Sequence, residues 1–343
     1  MEVIFIPAEK ICDSKITDLC RRLCGFITPD QIIAIKLHFG EPGNTTFLKP
    51  KYVRPVVDFL RNAKAKPFLT DTNTLYVGRR SNSVDHLNAA IEHGFGGLGA
   101  PIIIADGLRS RNVENVRIRG KHFKSVGIAA DIVHCDSLVV LTHFKGHMLM
   151  GFGGALKNIG MGCAGRAGKQ AQHSTIKPVV SSSGCIKCKV CGRYCPANAI
   201  SYPEGIASID PKKCVGCGEC AVMCRAGAIS VRFDSSASDA QERMAEYALG
   251  VMQSVRNRLF INFLVDITPN CDCFNKSEAV LTPDIGIVAG TDPVAVDKAC
   301  YDLVCKKAGR DVFKEFHNID STIQIRYGSG LGLGSPDYNM TGI

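Results

Sequence analysis

The stretches CIKCKVCGRYCPANAI (residues 185–200) and CVGCGECAVMCRAGAI (residues 214–229) superimpose without a gap at an offset of 29 residues. Each reads C-x2-C-x2-C-x3-C. Three thiolates at the first three positions wrap one iron–sulfur cubane in a tight loop, and the fourth, three residues on, reaches the other cubane. On that rule Cys185, Cys188, Cys191 and Cys224 hold one [4Fe–4S] cluster, and Cys214, Cys217, Cys220 and Cys195 hold a second. Pro196 follows the first run, whereas Arg225 stands at the matching place in the second, a change that removes no ligand. C-x2-C pairs also bind zinc, but two tandem runs with a crossed fourth ligand suit two clusters better. This stretch resolves the fold into two parts, one of them cysteine-rich.

Working outward, SSSG (181–184) and DSSAS (234–238) bracket the repeat with small polar linker residues. Beyond them strand-like and helix-like segments alternate. Apolar runs at 2–7, 31–37, 67–70, 101–105, 137–142, 260–266 and 285–288 read as strands. Residues 13–24, with Asp13 as cap, and 52–62, 83–93, 128–134, 239–258 and 293–307 read as helices, and 113–125 as a hairpin. Continuous rather than alternating apolar strands separated by helices predict an α/β fold, a mainly parallel sheet with helices on both faces. The expected organisation is a discontinuous α/β domain over 1–180 and 235–343. A small α+β module over 181–234 is inserted at a surface connection, where insertions are tolerated. Its repeat resembles the bacterial two-cluster ferredoxins over about fifty residues.

A chain of 343 residues, 45% hydrophobic and 21% charged, with no apolar run near membrane-span length, reads as a globular protein of the cytoplasm. The N-terminal MEVIFIPAEK reads as a first strand and not as a signal peptide. Seventeen cysteines, an odd number grouped at ligand spacings, are not a disulfide framework and suit an anaerobic host. The net charge is +9, with basic groups at 49–66 and 109–124. These lack the interleaved aromatics or docking motif of a nucleic-acid binder, so neither nucleic acid nor membrane is the expected partner. An acidic redox protein, of ferredoxin or flavodoxin type, or a small anionic substrate suits the charge.

Two stretches follow strands and so fall at the carboxyl edge of the sheet, where open α/β folds place ligands. Residues 142–174 contain His143, Lys145, His147, Lys157 and His173 among eight glycines. Gly151, Gly153, Gly154 and Asn158 are candidates for close backbone approach to a ligand, with Gly154 offering helix N–H groups to an anion. Neither the phosphate-loop nor the dinucleotide pattern is present. Residues 266–274, DITPNCDCF, carry Cys271 and Cys273, a pair that chelates a soft metal or forms a reactive dithiol. Together with His143 and His147 they outline a Cys2His2-type site, leaving room for a third metal or small ligand. The bland alternative is that the histidines anchor loops and the cysteines are small buried side chains. That is also the expectation for Cys12, Cys20, Cys24, Cys135, Cys300 and Cys305, with Cys163 the exception.

HFGEPGNTTF (38–47), DTNTLYVGRR (71–80), residues 142–162, DITPNCDCF and DIGIVAGTDPVAVD (284–297) together resemble the family known as domain of unknown function 362, in a form with an inserted ferredoxin module. The resemblance implies an iron–sulfur protein without a settled reaction. It draws attention to His38, Glu41, Asn44, Asp71, Asn73, Asp266, Asp292 and Asp297 beside the residues already named. A more distant likeness to lactate-racemase-type nickel proteins rests on the glycine- and histidine-rich loop after a strand. Three functions follow as expectations. The first is an oxidoreductase in which His143, His147, Lys157, Cys271 and Cys273 do the chemistry and the clusters relay electrons. The second is a non-catalytic electron carrier docking to a partner enzyme. The third is a metal or cofactor maturation factor.

Overall fold

The computed structural model describes residues 1–173, 177–230 and 236–343. Its centre is an eight-stranded sheet. In chain order the strands are β1 (Glu2–Pro7), β2 (Ile32–Lys36), β3 (Lys66–Asp71), β4 (Ile102–Ile104), β5 (Ser137–His143), β6 (Asn257–Leu264), β7 (Gly286–Gly290) and β8 (Asn339–Gly342). Across the sheet they run β8-β1-β7-β6-β5-β2-β3-β4. Only β7 is antiparallel to its neighbours; the rest share one direction. The sheet is therefore mixed and mostly parallel. Five strands precede the cysteine repeat and three follow it.

All seven residues of β5, SLVVLTH, are buried, as a central strand covered on both faces requires. Alternate residues feed two cores. Val139, Leu141, Ile261 and Phe263 pack with α1 (Asp13–Leu23) and α2 (Pro50–Asn62) on one face. Leu138, Val140, Phe260 and Leu264 pack with α6 (Ala237–Ser254) and α7 (Pro293–Ala308) on the other. No helix among the described residues is long and apolar enough to cross a membrane.

Several expectations need correction. The hairpin pairs Val113–Arg117 with Ser125–Ala129, so Ile128 and Ala129 belong to a strand and the helix after them shrinks to Ala130–Val133. Asp13 is the first residue of α1; Cys12 occupies the cap and is exposed, not buried. The glycine-rich stretch is more ordered than a loop: Lys145–His147 pairs with Gly151–Gly153, then α4 (Ala155–Gly160) and α5 (Arg166–His173) follow. Strand β8 sits on the edge of the sheet, and no apolar run announced it.

The cysteine-rich segment has a separate small core of Cys191, Ala207, Cys220, Ala221 and Ile229. Val179–Val180 pairs with Ile229–Ser230, which brings the segment's two ends together. Part of the expected downstream boundary, residues 231–235, lies outside the described residues, as does Ser174 at the end of the glycine-rich stretch.

Candidate functional site

Because β2, β3, β5 and β6 are parallel, the residues that end them converge on one edge of the sheet. Lys36 ends β2 and Asp71 ends β3; their side chains are buried and 3.0 Å apart. Arg80 completes the group, donating from Nε to Glu41 at 2.8 Å and lying 3.5 Å from Asp71. Burial alone would push the Asp71 carboxyl up, but Lys36, His38, His86 and Arg80 outweigh it and hold the group well below the usual carboxylate range. Glu41 also accepts from the Tyr76 hydroxyl at 3.1 Å.

Beside this network lies the loop that follows β6. Asp272, between the two cysteines, is fully buried. His143 Nδ1 lies 2.9 Å from Asp272 Oδ1, and Lys145 Nζ 3.2 Å from Oδ2. His143 Nε2 lies 2.8 Å from the Val265 carbonyl oxygen. Both ring nitrogens are thus engaged by protein groups, and His143 acts as a strut between β5 and the 266–273 loop. His147 Nδ1 accepts from the backbone N–H groups of Leu149 and Met150, each at 3.2 Å. Burial, then Lys157, push its pKa well below the usual imidazole range, which keeps the ring neutral with its proton on Nε2. The proposed Cys2His2 constellation is therefore not assembled: one histidine is tied up and the other presents a donor.

The two cysteines do meet. The Cys271 thiol donates to Cys273, which raises the first well above and lowers the second well below the ordinary thiol value. Cys273 Sγ also lies 3.6 Å from His38 Nε2, and Lys157 adds positive potential. Cys271 is buried and Cys273 half-buried. The result is an accessible thiolate backed by a thiol, a neutral imidazole and an ammonium group. Burial, then Lys157, also depress His173 to about 4. Lys169, held by Thr72 and the Ala164 carbonyl oxygen, is lowered to about 8 by burial. Among the described residues, the one set of three or more His, Cys, Asp or Glu groups close enough to share an ion is His122, Asp239 and Glu242, which includes neither cysteine.

The glycines expected to receive a ligand instead receive protein. The N–H groups of Ala155 and Leu156, at the start of α4, donate to Asp297 at 2.6 and 2.9 Å. A Cβ on Gly154 would lie 2.2 Å from Asp297 Oδ1, and one on Gly151 2.0 Å from Ser321 Cβ. Gly153 packs by Lys157, 3.3 Å from a Cβ built there. Asn158 is also occupied: Oδ1 accepts from Lys36 at 2.7 Å and Nδ2 donates to the Leu141 carbonyl oxygen and Thr142. Asp292 caps α7, Asn44 caps its own loop at Thr46 and Phe47, and Asn73 is pinned to Asp106. Asp266 sits at φ 49° with its N–H donating to Asp284. Cys163 is a buried core thiol pushed up to about 11 by burial, like its neighbour Cys135 at about 12.

In the cysteine-rich segment two cavities stand out. Cys185, Cys188, Cys191 and Cys224 line the first, with Tyr202 and Ile229. Cys195, Cys214, Cys217 and Cys220 line the second, with Pro178 and Ile209. The chain attaches the second to the α/β body through Glu219. That carboxylate is buried against Arg166 and lies 3.0 Å from Arg109. Arg166 also donates to the carbonyl oxygens of Thr74 and Ser81. Lys36, Arg80, Asp272, Arg166 and Glu219 escaped notice in the sequence; a lysine closing the apolar run IIAIK was the available signal.

A mostly parallel α/β sheet with helices on both faces, carrying a buried polar network at its carboxyl edge, defines the class of this protein. The profile of the family described as Domain of unknown function (DUF362) matches residues 33–302, and the chain belongs to that family. It is also similar, 47% identical over 41 residues, to ketoisovalerate oxidoreductase subunit VorD of Pyrococcus furiosus. That match takes in 12% of the chain and 39% of the subunit, so it spans well under half of the relative. Among solved structures, a Thermotoga maritima protein is similar at TM-score 0.48 and 9% identity, over 89% of this chain and 60% of that one. Lactate racemase apoprotein from Thermoanaerobacterium thermosaccharolyticum is similar at TM-score 0.39 and 13% identity, over 77% and 51%. No activity is carried over from either. The many cysteines and the likeness to an oxidoreductase subunit suit an iron–sulfur protein.

Proposed function

We propose that this protein relays electrons through two [4Fe–4S] clusters to the Cys273 cleft, as an oxidoreductase of the cytoplasm of an anaerobic cell. The observation that supports it best is the partition of eight cysteines into two cavities, with Cys224 joining the first run and Cys195 the second. We read the segment between the paired strands Val179–Val180 and Ile229–Ser230 as an inserted module of ferredoxin type. Four sulfurs around each cavity suit a fully ligated cubane, which supplies or withdraws one electron at a time. Substrate chemistry then falls to the α/β body. There Cys273 provides a thiolate, His147 an N–H donor and Lys157 a charge for a small anionic group. With His143 engaged at both nitrogens, the cleft is better suited to dithiol or acid–base chemistry than to a third metal.

Anaerobic reconstitution tests this: about eight irons and eight sulfides per chain are expected. Cys188→Ser and Cys217→Ser should each alter a different electron paramagnetic resonance signal. Zinc in place of iron, or one signal lost in both variants, overturns the assignment. A second reading, a non-catalytic carrier whose α/β body is a docking platform, draws support from the internal engagement of His143, Asn158 and Gly154. Under it Cys273→Ser leaves all electron transfer intact.

A further inference from the structure

The two halves of the cysteine repeat share a backbone but not their surroundings. Gly216 and Gly218 of the second half have φ of 74° and 66°; the matching residues of the first half, Lys187 and Lys189, have 59° and 58°. In the second half the loop packs on the α/β body. A Cβ on Gly218 would lie 2.9 Å from Leu75 Cδ1 and 3.4 Å from Arg166 Cδ, and one on Gly216 3.4 Å from Lys177 Nζ. Glu219, next in the chain, is the buried partner of Arg166. In the first half the same loop faces solvent. Ile186 is 66% exposed, and Lys187, Cys188 and Lys189 are all exposed. A left-handed lysine is strained where glycine is not. The second half shows that glycine completes this loop, so backbone geometry does not ask for lysine at either position.

We infer that residues 186–189 form the docking surface for an acidic one-electron carrier protein, exchanging electrons with the cavity of Cys185, Cys188, Cys191 and Cys224, while the second cavity faces the α/β body. The inference rests on the two-cluster reading above. Charge complementarity selects the occupant. Exposed Lys187 and Lys189 stand on either side of Cys188 in the chain, and a carrier with carboxylates around its own cofactor is steered to their charge. Ile186 supplies an apolar contact within the charged rim. At each encounter the carrier loses one electron and the first cluster gains it; no bond forms or breaks. The Glu219 ion pair makes the second cluster the inner one, so the order is carrier, first cluster, second cluster, α/β body.

The test uses the full chain with both clusters reconstituted, mixed by stopped flow with a reduced small ferredoxin of net negative charge. Lys187→Glu with Lys189→Glu should lower the second-order rate by about tenfold or more at low ionic strength, and the gap should close at high salt. Lys212→Glu with Lys213→Glu, an equal charge change at two other exposed positions of the segment, should have a much smaller effect. Reduction by photoreduced deazaflavin should be the same in all three proteins. An equal loss in both double variants, or no loss in the first, overturns the docking surface. So does a dimer of this chain that dissociates in the Lys187/Lys189 variant, since a second copy would then be the occupant. Fewer than about eight irons in the unaltered protein overturns the two-cluster reading instead, and this inference with it.

Discussion

Cys273 Sγ lies 3.6 Å from His38 Nε2, across 235 residues of chain. His38 Nδ1 accepts from the Gly40 N–H at 3.1 Å, which places the ring proton on Nε2, directed at the sulfur. With the Cys271 thiol donating as well, Cys273 is held as thiolate well below the ordinary thiol range. Its alkylation rate should therefore stay flat as pH falls from about 9 to about 7, where an ordinary thiol loses reactivity steeply. His38→Ala should move the break upward. Iodoacetamide labelling under anaerobic conditions, read peptide by peptide in a mass spectrometer, measures both; a break at the usual thiol value in the unaltered protein refutes the arrangement.

Asp71 is ringed by Lys36, Arg80 and His86. Asp71→Asn leaves buried cations without a counter-charge, at a cost of about 3–5 kcal/mol. The pH sign follows from the depressed carboxyl. Its native pKa is below the unfolded value of about 3.9, so its contribution is complete above that value and lost as pH falls toward the native pKa. Asp272, depressed by His143 and Lys145 against the upward push of burial, adds in the same direction. Denaturant midpoints should fall below about pH 4 in the unaltered protein, and less steeply in Asp71→Asn. Equal slopes would remove Asp71 from the account.

Arg166 and Glu219 form a buried pair joining the cysteine-rich segment to the α/β body. Arg166→Met and Glu219→Gln should each cost about 3 kcal/mol, and the double variant less than their sum, because neither charge is then left alone. Limited proteolysis of the segment should accelerate in each single variant. A strictly additive cycle would show that the two side chains act independently.

Asp297 accepts from Ala155 N, Leu156 N and Asn262 Nδ2 within the core. Asn in its place turns an amide donor toward a backbone donor, costing about 1–3 kcal/mol. Gly154→Ala drives a Cβ to 2.2 Å from the same carboxylate, and should be at least as harmful. Guanidinium unfolding of both variants decides; a neutral Gly154→Ala would mean that the start of α4 can move away from α7.

Much of the α/β frame was legible because buried parallel strands are written as unbroken apolar runs. IIAIK, SLVVLTH and NRLFINFL carry their burial in their composition. The C-terminal strand NMTG was not legible: an edge strand draws its order from backbone pairing with β1, which leaves no apolar pattern. Within the cleft, the C-x-C pair could be found from spacing alone. That His143 is a strut, and that Asp297 fills the helix start expected to bind an anion, depends on partners 129 and 142 residues away.

The cysteine spacing and the strand composition are local quantities, and the sequence determined those by itself: two four-cysteine sets and a covered, mostly parallel sheet. Which donor each polar group meets is decided by folding, since a buried hydrogen-bonding group takes whatever partner the packed chain brings within about 3 Å. Tertiary structure therefore chose His38 as the neighbour of Cys273. It also turned one half of a repeat with the same cysteine spacing inward on glycines and left the other outward on lysines.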